Sequence, residues 1–154
     1  MERVRTLSEQ FLNAIYKAKR ADKFDKDQMF RHFPRRCCGI TSELLAKYLL
    51  DNLPKNSIKL MYRSGTYYAE DQNHAWLQTS TGYVIDITVN QFSRRLPPLC
   101  FKESMYIGPY IDYYDIFDIN YEGWCNNYYP LDDTPVRNHL TRKQLYEIIY
   151  EYID

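Results

Sequence analysis

The chain has 154 residues, 45% of them hydrophobic and 26% charged, and its formal net charge is zero. This length indicates a single domain, 1–154, with a real core, and the balanced charge argues against a general nucleic-acid binder. No apolar run approaches the length of a membrane span and no signal-peptide core follows Met1, so we expect a cytoplasmic protein; export by a dedicated secretion machine would leave no such signal.

A helix is predicted near the start of the chain, over residues 7–20. Apolar residues recur there every three or four positions, and Thr6 with Glu9 matches the capping-box pattern that begins many helices. Charged residues follow, and residues 28–33 are expected to form at most one short turn.

A second helix is predicted to begin at a pair of cysteines, Cys37 and Cys38. Pro34 cannot lie inside this helix, so the chain must turn just before the cysteines. The apolar stripe continues to about Asn52, and Pro54 ends the helix. A thiol in the first turn ionises more easily, because unpaired backbone N–H groups and the helix dipole favour a negative charge there.

Strands are predicted after this helix. Residues 57–63 alternate apolar and polar side chains, as a half-buried strand does, and Gly65 indicates a turn. Residues 74–78 and 83–88 are rich in β-favouring residues and are joined by a short polar loop with a glycine, residues 80–82. This pattern is typical of a β-hairpin.

Fewer regular elements are predicted in the C-terminal part. Residues 105–108 match a strand, residues 109–118 fit a helix or a strand equally well, and residues 121–135 are expected to be irregular. A closing helix is predicted after Thr141, which forms a second capping-box pattern with Gln144.

Three residues on successive predicted elements indicate a catalytic triad: Cys38, His74 and Asp86. Adjacent antiparallel strands can place a histidine and an aspartate side by side. In cysteine catalysis a thiolate attacks a carbonyl carbon, an imidazole carries the proton to the leaving group, and a carboxylate orients the imidazole. Backbone N–H groups at the helix start would hold the developing oxyanion.

These residues resemble the transglutaminase-like branch of the papain-like cysteine enzymes, over about residues 33–92. The family's His-Ala-Trp element matches His74 and the two residues after it. Its Asp-Pro-Thr element matches Asp86 and Thr88, with isoleucine in place of the proline.

The resemblance implies a fold and an activity. The fold is α+β, a papain-like or transglutaminase-like domain in which N-terminal helices and a Cys-headed core helix pack on an antiparallel sheet. The activity is acyl transfer from an amide or thioester of a protein or peptide substrate, through a thioester on Cys38. With water as acceptor the enzyme is a peptidase, amidase or protein glutamine deamidase, and with an amine it is a transglutaminase. No cofactor or metal is implied, and a small domain of this type would suit a bacterial effector or toxin.

The resemblance also ranks the residues around the triad. The family helix has a small residue four positions after its cysteine, and Ser42 meets this pattern if Cys38 is the nucleophile, which leaves Cys37 as a flanking thiol. Trp76 is expected in the core or in the wall of the cleft. Gln91 could line the site, as a glutamine does in papain-like enzymes, but by default we assign it a structural role.

Other interpretations stay open. Arg35 and Arg36 are either surface charges or groups that stabilise the thiolate or attract an acidic substrate. A metal site is another interpretation, but zinc would need four well-spaced ligands, or three and a water. A redox pair of the two adjacent cysteines is a third interpretation, but a disulfide between neighbouring residues is strained. The oligomeric state and the substrate are not predicted.

A catalytically inactive interaction module is the alternative from another functional class. Residues 103–133 carry 7 acidic residues and no basic ones, and 10 of the 16 tyrosines lie at or after Tyr106. Such a half-exposed acidic and aromatic face would bind a basic partner protein.

Overall fold

The computed structural model describes residues 1–125 and 131–154, which form three helices and one five-stranded antiparallel sheet. The helices are α1 (Glu2–Arg20), α2 (Cys38–Asn52) and α3 (Arg142–Glu151). The strands are β1 (Leu60–Tyr67), β2 (Gln72–Thr79), β3 (Tyr83–Asp86), β4 (Tyr106–Pro109) and β5 (Asp118–Trp124), in the spatial order β4-β3-β2-β1-β5. The predicted α+β class is therefore confirmed. None of the helices in the described part of the chain is both long and apolar enough to traverse a bilayer.

The three helices cover one face of the sheet and form what we call the helix layer. α2 packs on β2 and is flanked by α1 and α3. On the sheet side, Leu60, Leu77 and Ile85 come from three adjacent strands and belong to the same buried core as Leu45 and Leu49 of α2. Side chains alternate between the two faces of a strand, so these residues share one face. Burial of each leucine contributes about 1.5–3 kcal/mol.

The other face is covered by an aromatic layer, which we define by its buried residues Trp76, Val84, Phe92, Leu99, Tyr114 and Phe117. Two of these residues belong to short 3₁₀ segments, Val89–Phe92 and Asp112–Ile116. The rings of Trp76 and Tyr114 lie 4.9 Å apart between centroids in a tilted arrangement. Large rings therefore pack this face although the chain that supplies them is mostly irregular.

The first helix is longer than the sequence predicts. α1 begins at Glu2 rather than at residue 7, and the capping box of Thr6 and Glu9 is wrong. Thr6 lies inside the helix, and its hydroxyl donates to the carbonyl oxygen of Glu2 at 3.1 Å. The physical reason is that Val4 extends the apolar stripe by one turn and is buried in the core of the helix layer.

The first strand is displaced from its predicted position. β1 spans Leu60–Tyr67 rather than residues 57–63, and Gly65 lies inside it instead of forming a turn. The register between β1 and β5 shifts at Gly65, where the two backbones approach closely. A Cβ atom at this position would lie 2.8 Å from the carbonyl oxygen of Asp118. A glycine is therefore needed for the two strands to pair this closely.

The C-terminal part contains a strand that the sequence does not predict. Residues 121–124 belong to β5, which contradicts the irregular chain expected for residues 121–135, and residues 126–130 of that prediction lie outside the described residues. Residues 109–118 form mainly the 3₁₀ segment Asp112–Ile116. β5 was missed because nearly all of its residues are exposed, so it lacks the alternation of a half-buried strand.

Several elements lie where the sequence predicts them. α2 begins at Cys38 and ends at Asn52, and β2 and β3 form the hairpin. β4 matches the strand predicted at residues 105–108 to within one residue. The capping box of Thr141 is present: its hydroxyl accepts a hydrogen bond from the Gln144 N–H at 3.1 Å, and its own N–H donates to Gln144 Oε1 at 2.9 Å.

Candidate active site

The start of α2 carries two cysteines with different surroundings. Arg36, just before them, has a φ of 66° in the left-handed region, and the helix begins two residues later at Cys38. Cys37 is 1% exposed and belongs to the core of the helix layer, whereas Cys38 is half-buried. One turn further on, the hydroxyl of Ser42 donates to the carbonyl oxygen of Ala75 at 3.5 Å and so joins α2 to β2.

The β2–β3 hairpin places a histidine beside an aspartate. His74 and Asp86 both lie on the face that the aromatic layer covers, and they are 0% and 2% exposed. Nε2 of His74 lies 2.6 Å from Oδ2 of Asp86. An imidazole held in this way donates Nε2–H to the carboxylate, which leaves Nδ1 for a second partner.

The buried carboxylate of Asp86 is fully hydrogen bonded. Oδ1 accepts the backbone N–H of Thr88 at 3.0 Å and the hydroxyl of the same residue at 3.3 Å. Oδ2 accepts the hydroxyl of Tyr114 at 3.0 Å in addition to its contact with His74. Burial of a carboxylate is costly unless its oxygens find such partners, so this network holds the group in one position.

Gln91 lies on the opposite side of the imidazole. Its Nε2 atom is 3.0 Å from Nδ1 of His74. The imidazole of His74, the backbone of Ala75 and the side chain of Gln91 all lower the pKa of the Cys38 thiol. Since Nε2 of the imidazole is engaged by Asp86, Nδ1 is the ring nitrogen left to exchange a proton with the thiol.

The two cysteines differ in acidity as well as in position. Burial raises the pKa of the Cys37 thiol to about 12. Burial also raises the pKa of Cys38, but the hydrogen bond and positive charge of His74 and the contacts with Ala75 and Gln91 outweigh it, so the pKa lies below its usual value. Burial lowers the pKa of His74, but the charge and hydrogen bond of Asp86 together with the interactions of Cys38 outweigh it, so the pKa lies above its usual value. These opposite directions favour a thiolate beside an imidazolium.

Aromatic rings surround the histidine. The centroid of the imidazole lies 5.1 Å from that of Phe92, 5.3 Å from Phe117 and 5.7 Å from Trp76. These rings exclude water from the contact between His74 and Asp86, which strengthens the electrostatic interaction.

Two grooves border the site. A groove of about 890 Å³ is lined by Gln91 and by several basic side chains. A smaller one, of about 350 Å³, is lined by Tyr62, Tyr121 and Trp124. The hydroxyl of Tyr62 approaches the second residue of α2 so closely that a Cβ atom on Gly39 would lie 2.9 Å from it.

Comparisons with protein-family models, with curated proteins and with solved structures found no match to this chain. Within residues 1–125 and 131–154 there is also no group of three or more His, Cys, Asp or Glu side chains arranged to hold a metal ion. The chemistry of the site therefore has to be inferred from its own geometry.

The structure brings the three residues of the predicted triad together. It places the neighbouring Cys37 away from them, in the core. His74 contacts Asp86 on one side and Gln91 on the other, and it lowers the pKa of Cys38, whereas Cys37 belongs to the core of the helix layer. Gln91 was expected either to line the site or to have a structural role, and the structure places its amide beside Nδ1 of His74. Trp76 is 0% exposed and packs in the aromatic layer.

Sequence reasoning missed one residue of the site. Tyr114 donates to the carboxylate of Asp86 from a 3₁₀ segment that follows it by 28 positions. No spacing pattern distinguishes Tyr114 from the other tyrosines around it, since only the chain path over the aromatic layer brings it to Asp86. Thr88 belongs to the Asp-Pro-Thr element of the resemblance, and its backbone N–H donates to the carboxylate of Asp86.

Proposed function

We propose that the protein is a cysteine-dependent acyl-transfer enzyme with a papain-like or transglutaminase-like domain, in which Cys38, His74 and Asp86 are the catalytic residues. The observation that carries the proposal is that one buried imidazole, His74, is bonded through Nε2 to Asp86 and also lowers the pKa of Cys38 at the start of α2. This order is what a nucleophile, a proton carrier and an orienting carboxylate require. The placement of Cys38 at the first residue of a helix packed on an antiparallel sheet supports the same domain type.

In the proposed reaction the thiolate of Cys38 attacks the carbonyl carbon of an amide. The negative charge moves to the carbonyl oxygen, which the backbone N–H groups of the first turn of α2 and the amide of Gln91 can stabilise. No side chain caps this helix start, so those N–H groups are free to face a ligand. When the tetrahedral intermediate collapses, the C–N bond breaks, and the imidazolium of His74 gives its Nδ1 proton to the leaving amine.

The second half of the reaction regenerates the thiol. His74 removes a proton from the acceptor, which then attacks the carbonyl carbon of the thioester, and the C–S bond breaks. Water as acceptor gives hydrolysis of a peptide or side-chain amide, and an amine gives transamidation. Asp86 holds the imidazole through Nε2 in both halves and stabilises its positive charge.

Alkylation of the native protein with iodoacetamide, followed by mass spectrometry at each cysteine, tests the proposal. Alkylation rates follow the thiolate fraction, so Cys38 should react rapidly at mildly acidic pH and slow only as the pH falls below its lowered pKa. Cys37 and Cys125 are internal controls, since burial raises their pKa to about 12 and about 11. A Cys38 thiol that reacts no faster than free cysteine at that pH would contradict the proposal.

Turnover itself is tested by the intact mass of proteins after incubation with the enzyme and an amine probe. Hydrolysis of a side-chain amide raises the mass of the substrate protein by about one dalton, peptide cleavage produces fragments, and transamidation adds the probe. A Cys38→Ala variant supplies the background for each of these signals.

The second candidate function is that of an interaction module. Trp124 is 56% exposed and Tyr121 is 59% exposed on β5, which is the edge strand of the sheet. Edge strands with exposed aromatic side chains suit protein contacts. The tyrosine-rich face is not uniformly exposed, however, because Tyr114 is fully buried and bonded to Asp86. This candidate predicts slow alkylation of Cys38, so the iodoacetamide experiment separates the two functions.

A further inference from the structure

The larger groove beside the site is strongly basic. Its lining includes Arg35, Arg36, Arg94, Arg95 and His32, together with Gln91. All four arginines are exposed. A surface with this density of one charge attracts ligands of the opposite charge and raises their local concentration.

Few of these charges are neutralised by the protein itself. Arg95 lies 3.6 Å from the carboxylate of Glu70, and within the described ranges no carboxylate forms an ion pair with the other three arginines. Desolvation and the positive charges of neighbouring arginines, Arg35 and Arg36 among them, lower the pKa of His32. The groove therefore presents a ligand mainly with positively charged side chains that donate hydrogen bonds.

The basic groove is built from the same two chain segments as the candidate active site. Arg36 precedes Cys38 by two residues, and Arg94 follows Gln91 by three. An extended peptide advances about 3.3–3.6 Å per residue, so only a few substrate residues are needed to reach from Cys38 into the groove. A single substrate peptide could therefore place an acyl group at Cys38 and its neighbouring residues in the groove.

The arginines are not needed to ionise the thiol. The groups that chiefly set the pKa of Cys38 are its own burial, His74, the backbone of Ala75 and Gln91. The basic side chains of the groove are accordingly available for a ligand, and guanidinium groups bind carboxylates in a bidentate geometry.

We propose that this basic groove binds an acidic segment of the protein substrate, rich in Asp or Glu, next to the amide that reacts at Cys38. The inference rests on the proposed acyl-transfer function and adds the substrate class. A peptide fits better than a nucleic acid, because the groove shares Gln91 with the proposed acyl-transfer site, and the polar side chains of Asn90 and Ser93 in its lining suit a peptide backbone.

The test uses two matched peptide electrophiles. Each is a short N-acetylated peptide with a chloromethyl ketone, one with Asp and Glu before the electrophile and the other with Asn and Gln. The readout is the ratio of the two second-order rate constants for alkylation of Cys38, measured by mass spectrometry. Changes in the thiolate fraction affect both reagents equally and cancel in this ratio.

We expect the acidic peptide to react about tenfold or more faster than its amide counterpart at low salt, as electrostatic steering allows, and the ratio to fall as salt is added. Arg94→Gln and Arg35→Gln should each lower the ratio, and Arg94→Glu should lower it most. Arg137→Gln is the matched control, since this exposed arginine lies outside the groove lining, and it should leave the ratio unchanged.

The outcomes separate this inference from the function on which it rests. If both peptides and iodoacetamide alkylate Cys38 rapidly but at a ratio near one, the acidic-substrate inference is overturned and the enzyme proposal stands. If none of the three reagents reacts faster with Cys38 than with free cysteine, the enzyme proposal fails as well. An oligonucleotide that protects Cys38 at physiological salt, when the same concentration of a non-reactive acidic peptide does not, would assign the groove to nucleic acid and overturn the inference.

Discussion

The helix layer and the aromatic layer pack opposite faces of the same sheet in different ways. The helix layer is built from regular helices, and it buries the hydroxyl group of Ser8 with no hydrogen-bond partner among the described residues. The aromatic layer comes mostly from irregular chain, yet it buries His74 and Asp86 with their side-chain polar atoms bonded. An unpaired hydroxyl costs a few kcal/mol at most, whereas an unpaired charge costs far more. In the part of the chain that the structure describes, His74 and Asp86 are thus buried together with partners for their side-chain polar atoms.

The adjacent cysteines Cys37 and Cys38 also differ in their surroundings, one apolar and one polar. Cys37 faces the helix layer, where burial raises its pKa and makes it an inert packing group. Cys38 faces the polar network at the border of the aromatic layer, where His74 and Gln91 lower its pKa. One position along the chain thus separates a thiol whose pKa is raised from one whose pKa is lowered.

Replacement of each cysteine by alanine should have the largest effects, on turnover for Cys38 and on the free energy of unfolding for Cys37. Cys38→Ala should abolish turnover, because no thioester can form, and leave the melting temperature nearly unchanged. Cys37→Ala should keep most of the activity but lower the free energy of unfolding by about 1 kcal/mol, since it leaves a small cavity in the core. Product formation and denaturant unfolding measure the two effects. The reverse assignment of activity loss would place the nucleophile at Cys37.

Asp86→Asn should have the next largest effect. An amide in place of the carboxylate removes the negative charge that stabilises the imidazolium and disturbs the tautomer, so the rate should fall by about two to four orders of magnitude. The pH at which alkylation of Cys38 is half-maximal should rise, because His74 then loses its positive charge more easily. Asp112→Asn, at an exposed position, is the control. An unchanged rate in the Asp86 variant would remove this residue from the site.

Leu7→Ala tests whether the helix layer only supports the fold. Leu7 is 1% exposed in α1, and its truncation should lower the free energy of unfolding by about 2–5 kcal/mol. Under conditions where the variant is folded, iodoacetamide should alkylate Cys38 at the wild-type rate. A slower alkylation of the folded variant would show that the two layers are coupled.

Tyr114→Phe should give the smallest effect. The ring stays in the aromatic layer, but Asp86 loses the hydroxyl donor at 3.0 Å, which should cost about 1 kcal/mol of stability and lower the rate by about tenfold or less. Tyr113→Phe is a matched control, because the Tyr113 hydroxyl donates to the carbonyl oxygen of Leu99 rather than to the carboxylate. Equal rates in the two variants would mean that Tyr114 does not position Asp86.

Much of the fold could be predicted because its elements follow local rules. α2 was predicted from the apolar stripe between Pro34 and Pro54, and α3 from the capping box of Thr141. The β2–β3 hairpin followed from two β-favouring runs around a short loop. These signals depend on residues a few positions apart, which is the range over which backbone sterics and side-chain periodicity act.

The aromatic layer and β5 could not be predicted in this way. β5 is an exposed edge strand without alternation, and Tyr114 reaches Asp86 from a 3₁₀ segment whose local sequence gives no sign of that contact. The role of Gln91 likewise stayed open between structure and site, because nothing local indicates that its amide reaches the imidazole.

By itself, the sequence determined that a thiol begins a buried helix and that a histidine and an aspartate lie on one face of a hairpin. Only the tertiary structure decided that Cys38 rather than Cys37 faces the imidazole and that Gln91 joins them. It also decided that four arginines from two segments border one groove. The reason is that periodicity specifies which face a side chain takes, whereas the partner opposite that face depends on the packing of distant segments.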